Sequence, residues 1–335
     1  MKIGMHDLSQ KVLIIAEIGN NHEGNLSFAK EMIWAAKESG ADSVKFQTIR
    51  TEHLISKHDK DRFKRLKGFE LTDDGFCSLA SEASKAGVIF LSTPFDISSV
   101  DLLDPLVPAF KVASSDNTFY PLLEHIADKA KPILLSTGLA DLVDIQKAKQ
   151  IIEDVWKKKG VSPGLCLLHC VCHYPAVPVE LNLNAIPVIH SAFDCEVGYS
   201  DHSLGIESAV LAVALGARVI EKHFTLDKNY SDFQDHKIAA DPLEMKDMVK
   251  AIRSAEIKLG SFDKKLQDSE LQVVAKLRRH IAVVRDMSVG ETMTRQDITW
   301  LRGVGGFPAG RESEVLGHAL KKAVLAGDFL MEDHL

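Results

Sequence analysis

Two histidines in the middle of the chain have a spacing that suits a metal site. Ser200 and His202 end one apolar run, and Glu221 and His223 end the next run along the chain. Alternate residues of a β-strand point to the same face, so two such strands lying side by side would bring both imidazoles together. Two imidazoles with open coordination positions suit Mn²⁺, Fe²⁺, Co²⁺ or Zn²⁺, and such an ion can polarise an aldehyde oxygen. The alternative is that they are two unrelated members of the 14 histidines in the chain.

Two lysines and several hydroxyl groups form a second set of candidates. Lys45 and Lys111 each follow an apolar run, where a lysine is costly unless it meets an anion. The hydroxyl groups at comparable positions are those of Thr93, Ser114, Ser136 and Ser200. Together these groups predict a site for a carboxylate and a phosphate, with lysines that extend to solvent as the alternative. Glu17 ends the first apolar run and is either a general base or water-orienting group, or a solvated strand-end glutamate.

The segment His169-Cys170-Val171-Cys172-His173 contains four metal-binding residue types, but it does not predict a metal site. Alternation along a strand sends residues 170, 172 and 174 to one face and residues 169, 171 and 173 to the other. The chain also lacks a second Cys/His pair for a structural zinc. Cys172 and Tyr174 are still expected to face the same site as the lysines.

Eight short apolar runs position these polar residues, and each run stops at a polar cluster. The runs begin at Val12, Ser43, Val88, Ala109, Ile133, Leu165, Val197 and Arg218. Helical stretches separate them, which predicts parallel strands joined by crossovers. Eight such units predict an α/β fold, the closed (β/α)8 TIM barrel, in which the carboxyl ends of the strands and the following loops carry the chemistry.

Crossover helices are predicted from apolar residues at helical spacing and from their end signals. They cover residues 28–40, 72–87, 141–159, 203–216 and 241–259, the last with Pro242 at its first helical position. The charged stretch 53–69 shows no clear period. We interpret it as a mobile loop over the mouth of the barrel.

Composition excludes several classes of protein. The 335 residues carry a net charge of −7, with 45% hydrophobic and 26% charged residues, which is ordinary for a soluble globular protein. No basic footprint indicates nucleic-acid binding. Neither a membrane span nor a signal peptide is predicted. The five cysteines form an odd, unevenly spaced set, which indicates reduced thiols and a cytoplasmic location.

The pattern changes after residue 260. Residues 261–278 are polar and charge-rich, and we interpret them as a linker between a catalytic barrel domain at 1–260 and a small β-rich domain at 279–335. Two similar phrases, Val289-Gly290-Glu291 and Ala326-Gly327-Asp328, suggest that the small domain is built from a duplicated half with turns at the glycines.

Several longer motifs share one resemblance. They are Glu17-Ile18-Gly19-Asn20-Asn21-His22, Val44-Lys45-Phe46-Gln47, Ser92-Thr93-Pro94-Phe95, Phe110-Lys111-Val112-Ala113-Ser114, Tyr174-Pro175, Gly198-Tyr199-Ser200-Asp201-His202 and Glu221-Lys222-His223-Phe224-Thr225. With them, nearly the whole chain resembles the sialic acid synthases, which condense phosphoenolpyruvate with an amino sugar to make nonulosonic acids. The tail, with Trp300-Leu301-Arg302 and Leu325-Ala326-Gly327-Asp328, resembles the family's antifreeze-like (SAF, β-clip) domain.

The resemblance implies a role for each candidate. His202 and His223 would hold a divalent metal, Mn²⁺ before Mg²⁺ or Co²⁺, and would act in catalysis with Glu17. Phosphoenolpyruvate would be bound by Lys45, Thr93, Lys111, Ser114, Cys172 and Ser200. The sugar would be bound by Gln47, Phe95, Asp116, Tyr174, Asp235 and Arg302. Arg302 would enter the barrel of a partner subunit, which implies a domain-exchanged homodimer.

The implied reaction is attack of phosphoenolpyruvate C3 on the open-chain aldehyde of an N-acylated amino sugar, with release of phosphate. The metal would activate the aldehyde, and Glu17 would assist proton transfer or orient water. The product would be a nine-carbon 2-keto acid of the sialic type, made for carbohydrate biosynthesis.

The chain departs from the family pattern at four places. Cys172 stands where the family has an asparagine, and Asp116 stands where it has a glutamate. Residues 231–236 replace a Gly-Pro-Asp-like turn, and no proline follows Arg302. Three of these departures concern the sugar, so both N-acetylmannosamine and related modified sugars are candidate acceptors.

Two other functions fit parts of the pattern. A Schiff-base pyruvate aldolase on the same barrel would use Lys111 or Lys45, although that chemistry gives the histidine pair no task. A degenerate, non-catalytic sugar-binding protein would explain Cys172 and the altered sugar segment.

Overall fold

The computed structural model describes all 335 residues, which form two compact units, Met1–Gly260 and Ser261–Leu335. The first unit contains an eight-stranded parallel sheet. Its strands are β1 (Leu13–Gly19), β2 (Ser43–Thr48), β3 (Ile89–Pro94), β4 (Phe110–Val112), β5 (Ile133–Ser136), β6 (Leu165–Cys170), β7 (Glu196–Asp201) and β8 (Val219–His223). Each strand contains part of one predicted apolar run.

The sheet curls into a nearly closed barrel. Its strand order is β3-β2-β1-β8-β7-β6-β5-β4, so the first strand pairs with the last and only β3 and β4 are not joined by a ladder. In this order, β7 and β8 are neighbours, as the histidine argument requires. The predicted (β/α)8 fold is confirmed for this unit.

The helices of this unit are α1 (Leu26–Glu38), α2 (Thr51–Leu54), α3 (Lys60–Phe69), α4 (Asp73–Ala86), α5 (Ile97–Leu103), α6 (Tyr120–Asp128), α7 (Leu142–Lys159), α8 (Ala185–Phe193), α9 (Glu207–Ala214), α10 (Gln234–Ile238) and α11 (Pro242–Leu259). All of them except α2, α3 and α10 contribute apolar residues to the main core. The predicted first position of Pro242 is confirmed, with Asp241 as N-cap. Helix α9 begins at Glu207 and not at Ser203, because the Asp201 side chain holds Ser203 in a turn.

The interpretation of residues 53–69 as a loop is wrong. Helix α3 occupies most of this stretch, and the side chain of Asp59 caps its first turn by accepting from the Arg62 backbone N–H. Lysine and arginine are good helix formers, but Leu66 is the only buried residue of α3, so the sequence shows no apolar stripe.

A short N-terminal hairpin closes the amino-terminal end of the barrel. Lys2–Ile3 pairs with His6–Asp7 in antiparallel fashion. Ile3 is fully buried in a cluster that contains Leu13 and Val219, the first residues of β1 and β8. Burial of this apolar surface stabilises the floor of the barrel beneath the polar groups.

Ile3→Ala is expected to lower the free energy of unfolding by about 2–5 kcal/mol, because it removes buried methyl groups and leaves a cavity. Met5→Ala is the matched control, since Met5 lies in the turn of the same hairpin and is 100% exposed. It should change the free energy by less than about 0.5 kcal/mol. Denaturant unfolding followed by circular dichroism measures the free energy of unfolding of both variants. Equal effects would show that burial of Ile3 does not stabilise the amino-terminal end of the barrel.

The second unit contains helix α12 (Asp268–Leu277) and the antiparallel strands β9 (Arg279–Val283) and β10 (Ile298–Arg302). Helix α12 lies within the predicted linker and has no buried residue, so its polar sequence gives no sign of a helix. A separate apolar core includes Ile281, Ile298 and Leu330.

The two similar phrases of the second unit form similar turns. Gly290 and Gly327 both have left-handed φ values, 88° and 90°, which favour glycine. The acid after each glycine accepts a hydrogen bond from the backbone N–H three residues earlier, from Ser288 to Glu291 and from Leu325 to Asp328.

No helix of either unit is long and apolar enough to span a membrane.

Candidate active site

The carboxyl ends of the strands bring the predicted polar residues together. Cα pairing in the sheet aligns Ser200 with Glu221, His223 with Glu17, and Glu17 with Lys45. Residues from β7, β8, β1 and β2 therefore lie in one continuous arc at this end. This is the end at which TIM-barrel enzymes carry their active sites.

Two lysines and two glutamates form a buried cluster, which we call the charge cluster: Glu17, Lys45, Lys111 and Glu221. Lys45 Nζ lies 2.7 Å from Glu17 Oε2 and 3.7 Å from Glu221 Oε2, and it donates to Thr93 Oγ1 at 3.0 Å. Lys111 Nζ lies 3.3 Å from Glu221 Oε1. Relative exposure of the four residues is between 2% and 5%. The lysines do not extend to solvent, so that alternative is wrong.

The four ionisable groups of this cluster differ in the direction in which their pKa values are shifted. Burial, and to a smaller extent the neighbouring Glu221, raises the pKa of Glu17 to about 7 against the opposing effect of Lys45. Burial also opposes ionisation of Glu221, but Lys111 and Lys45 outweigh it and hold the pKa at about 2. Burial lowers the pKa of Lys111, whereas Glu17 and Glu221 overcome burial at Lys45 and raise its pKa. Glu17 is therefore the group that exchanges a proton most readily near neutral pH.

Glu221 is the residue of the charge cluster that sequence reasoning did not select. It bridges both lysines and accepts from Ser200 Oγ at 2.9 Å. The signal was present, since Glu221 shares a strand face with His223. The cluster itself joins β8 to β2 and β4, strands that are not its neighbours, and no local pattern in the sequence states this contact.

The two imidazoles lie beside the charge cluster, with ring centroids 5.5 Å apart. His202 Nδ1 is 2.8 Å from the Val171 carbonyl oxygen, which leaves its Nε2 for another partner. His223 Nδ1 is buried without a hydrogen-bond partner, and Asp235 Oδ2 is 3.7 Å away. Burial lowers the pKa of both histidines, which favours the neutral form that binds metals. No group of three or more His, Cys, Asp or Glu side chains is arranged to hold a metal.

Two thiols and a serine line the neighbouring strand ends. The Sγ atoms of Cys170 and Cys172 lie 3.9 Å apart, although β6 ends at Cys170 and strand alternation does not extend to Cys172. Ser114 Oγ donates to Cys170 Sγ at 3.5 Å and accepts from the Gly138 backbone N–H at 3.1 Å. The hydrogen bond to Cys170 lowers the pKa of Cys172 to about 6, and Ser114 and Lys111 act in the same direction. His169 turns away and is 2.7 Å from the Leu181 carbonyl oxygen.

The candidate sugar-binding residues of the barrel lie around the same opening. Gln47 donates to Glu17 Oε1 at 3.2 Å. The Tyr174 ring is 4.2 Å from the His202 ring. Burial raises the pKa of Asp116 and of Asp235 to about 6, and Asp116 Oδ2 has no hydrogen-bond partner. Phe95 follows β3 and is half-buried.

Two further candidate residues are Ser136 and Arg302. Ser136 ends β5 and its buried Oγ has no hydrogen-bond partner. Arg302 belongs to the second unit, where it ends β10 and is exposed.

A buried ion pair behind the strands went unnoticed in the sequence. Lys222 Nζ lies 2.9 Å from Asp201 Oδ2, on the face opposite to Glu221 and His223, and both side chains are 0–1% exposed. Asp201 also accepts from Ser203, so the pair ties the start of the loop after β7 to β8. It supports the two histidines from outside the barrel.

The fold and this ring of groups define a (β/α)8-barrel enzyme with its site at the carboxyl ends of the strands. The model of the NeuB family matches residues 32–264. The chain belongs to this family, the nonulosonic acid synthases, and the resemblance seen in the motifs is confirmed.

Relatives named for different nonulosonic acids are similar over 79% to 99% of this chain. The N,N'-diacetyllegionaminic acid synthase of Legionella pneumophila is 39% identical over 98% of this chain and 95% of its own length. The pseudaminic acid synthase of Campylobacter jejuni is 35% identical over 99% of each chain. The crystal structure of the N-acetylneuraminic acid (sialic acid) synthetase of Leptospira borgpetersenii, in complex with citrate, is 37% identical, covers 79% of this chain and 90% of its own, and superposes with a TM-score of 0.74.

Proposed function

We propose that the chain condenses phosphoenolpyruvate with the open-chain aldehyde of an N-acylated amino sugar, releasing phosphate and a nonulosonic acid. The observation that carries this proposal is the charge cluster, in which two buried lysines lie among hydroxyl donors next to a histidine pair. Family membership supports the same reaction, because the named relatives are synthases of three nonulosonic acids.

Phosphoenolpyruvate is assigned to Lys45, Thr93, Lys111, Ser114, Cys172 and Ser200. Two cations and several hydroxyl donors suit its carboxylate and phosphate, which carry concentrated negative charge. The lysines already have anionic partners in Glu17 and Glu221. Incoming substrate therefore competes with Glu17 for Lys45, which weakens the hold of the lysine on this carboxylate.

Glu17 is assigned proton transfer or orientation of a water molecule. Its pKa of about 7 lets it hold or release a proton at Oε2 near neutral pH. Gln47 fixes the other carboxylate oxygen, and Asn20 in turn donates to Gln47 Oε1 at 2.6 Å. Gln47 therefore orients one carboxylate oxygen, and Lys45 holds the other, Oε2, until substrate competes for this lysine.

His202 and His223 fit a divalent metal, Mn²⁺ before Mg²⁺ or Co²⁺. Two observations support this fit. The buried Nδ1 of His223 has no hydrogen-bond partner. The Nδ1 of His202 contacts the Val171 carbonyl oxygen, and such a contact orients the ring of a metal-binding histidine. A bound metal would supply Lewis-acid polarisation of the sugar aldehyde.

The acceptor sugar is assigned to Gln47, Phe95, Asp116, Tyr174 and Asp235. The carboxyl of Asp116 has an unpartnered buried oxygen, which suits a hydroxyl or N–H donor of a sugar. The relatives' names differ in the sugar portion of the product, so an acceptor with one or two acylamino groups is the class that we assign.

We assign residues 279–335 to an antifreeze-like domain that acts on a partner's barrel in a domain-exchanged homodimer, with Arg302 reaching the sugar. Mixing Arg302→Ala with His202→Ala tests this assignment. If Arg302 acts in trans, a mixed dimer has one site with both residues, and activity should rise well above that of either parent. Heterodimers seen by native mass spectrometry without such recovery would show that Arg302 does not act across subunits.

Phosphate release from phosphoenolpyruvate tests the function directly. The panel of acceptors is N-acetylmannosamine and diacetamido hexoses, with mass detection of the acid product. Release that requires one of these sugars is expected. No release with any sugar, but covalent trapping of pyruvate by borohydride on Lys111 or Lys45, would support the Schiff-base aldolase instead. Sugar binding without either reaction would support the non-catalytic alternative.

A further inference from the structure

Two thiols at the end of β6 are positioned to react with each other. The Sγ atoms of Cys170 and Cys172 are 3.9 Å apart. Strand β6 ends at Cys170, and the His173 backbone N–H then donates to the Val171 carbonyl oxygen at 3.0 Å. The backbone therefore turns at Cys172 and brings the second thiol back towards the first. The proposed reaction gives Cys170 no task.

The surroundings hold both sulfur atoms in place. A Cβ atom on Gly138 would lie 2.6 Å from Cys172 Sγ and 3.2 Å from Cys170 Sγ, so the backbone of this glycine packs directly against both thiols. Ser114 Oγ contacts Cys170 Sγ at 3.5 Å from another side. Cys172 is half-buried and Cys170 is only 6% exposed, so a reagent from solvent meets Cys172 first.

We propose that Cys170 and Cys172 are a modification site at which a small disulfide oxidises the two thiols to an internal disulfide. With a small disulfide, the Cys172 thiolate attacks one sulfur, breaks the S–S bond and releases one thiolate. Cys170 then attacks the Cys172 sulfur of the mixed disulfide, loses its proton to the departing group and releases the second thiol. One S–S bond breaks and one forms, and the chain loses two hydrogen atoms.

Oxidation is expected to close the anion site. A disulfide bond is about 2.05 Å long, so the two sulfur atoms must approach by roughly 2 Å. Cys172 is assigned to phosphoenolpyruvate, and Cys170 is in contact with Ser114 and lies 3.7 Å from His202 Nδ1. This consequence rests on the proposed function, whereas the formation of the disulfide does not.

The test uses the full chain and glutathione disulfide as the oxidant. After oxidation, free thiols are alkylated, and the peptide that carries both cysteines is analysed by mass spectrometry. We expect this peptide to lack two hydrogen atoms and to escape alkylation, while exposed Cys77 and half-buried Cys195 are alkylated. Turnover of phosphoenolpyruvate should fall in proportion to the oxidised fraction and return with dithiothreitol.

Two variants serve as controls. Cys170→Ser should stop at a glutathione adduct on Cys172, because the second thiol is absent. Cys77→Ser should form the same internal disulfide and lose the same fraction of turnover as the chain without a substitution. Alkylation of both Cys170 and Cys172, or a stable glutathione adduct on Cys172 when Cys170 is present, would overturn the disulfide. A disulfide with unchanged turnover would overturn closure of the anion site. The mass measurement needs no turnover, so failure of the proposed function is distinguished from failure of this proposal.

Discussion

Chelation is expected to abolish turnover, and Mn²⁺ is expected to restore it. Removal of either imidazole should also weaken metal binding by more than about tenfold, because the alanine side chain has no atom that can coordinate the ion. His223→Ala is the sharper variant, because His223 Nδ1 is buried without a hydrogen-bond partner and its removal leaves no protein group unsatisfied. Calorimetric titration with Mn²⁺ measures affinity independently of turnover.

His190→Ala is the matched control for the histidine variants, because His190 is exposed and contacts the Cys195 carbonyl oxygen, just before the amino-terminal end of β7. Its metal affinity and turnover should equal those of the unmodified chain. Full turnover in a chelator-stripped sample would contradict a metal requirement. Unchanged Mn²⁺ affinity in both His202→Ala and His223→Ala would place the metal elsewhere.

The barrel was predictable because each of its strands is an apolar run that ends at polar residues. Buried parallel strands show such runs, and the order of the runs gives the order of the strands. Helix α3 was missed for a physical reason, since it buries only Leu66 and therefore lacks an apolar stripe. Helix α12 was missed for the same reason, with no buried residue at all.

The candidate site was predictable only in part. Alternation along a strand predicted that Cys170 and Cys172 share one face, and that Glu221 and His223 share one face of the strand that became β8. The sequence did not show that Glu221 bridges Lys45 and Lys111, because that contact joins β8 to β2 and β4 across the barrel. Nor did it show the ion pair of Lys222 with Asp201. Contacts between distant strands depend on closure of the barrel, which no local pattern encodes.

Replacement of Lys111 is expected to impair phosphoenolpyruvate binding strongly. Lys111→Ala removes a charge-assisted contact worth about 1.5–3 kcal/mol. At about 1.4 kcal/mol per tenfold change, the KM for phosphoenolpyruvate should rise roughly 10-fold to 100-fold. The variant also leaves Glu221 Oε1 without its lysine, 3.3 Å away in the unmodified chain, so a buried carboxylate loses much of its compensation. Some loss of stability is therefore expected as well.

A double variant separates the two effects of this replacement. Lys111→Met with Glu221→Gln removes both charges, so the buried carboxylate is no longer left uncompensated, and much of the lost stability should return. Phosphoenolpyruvate binding should not return, because the cation is still absent. Lys222→Met is the control for burial, since this lysine is equally buried but lies on the other face of β8. It should lower stability without the large rise in the KM for phosphoenolpyruvate. If the double variant recovers both stability and KM, Lys111 serves only to neutralise Glu221, and the anion must be bound by other residues.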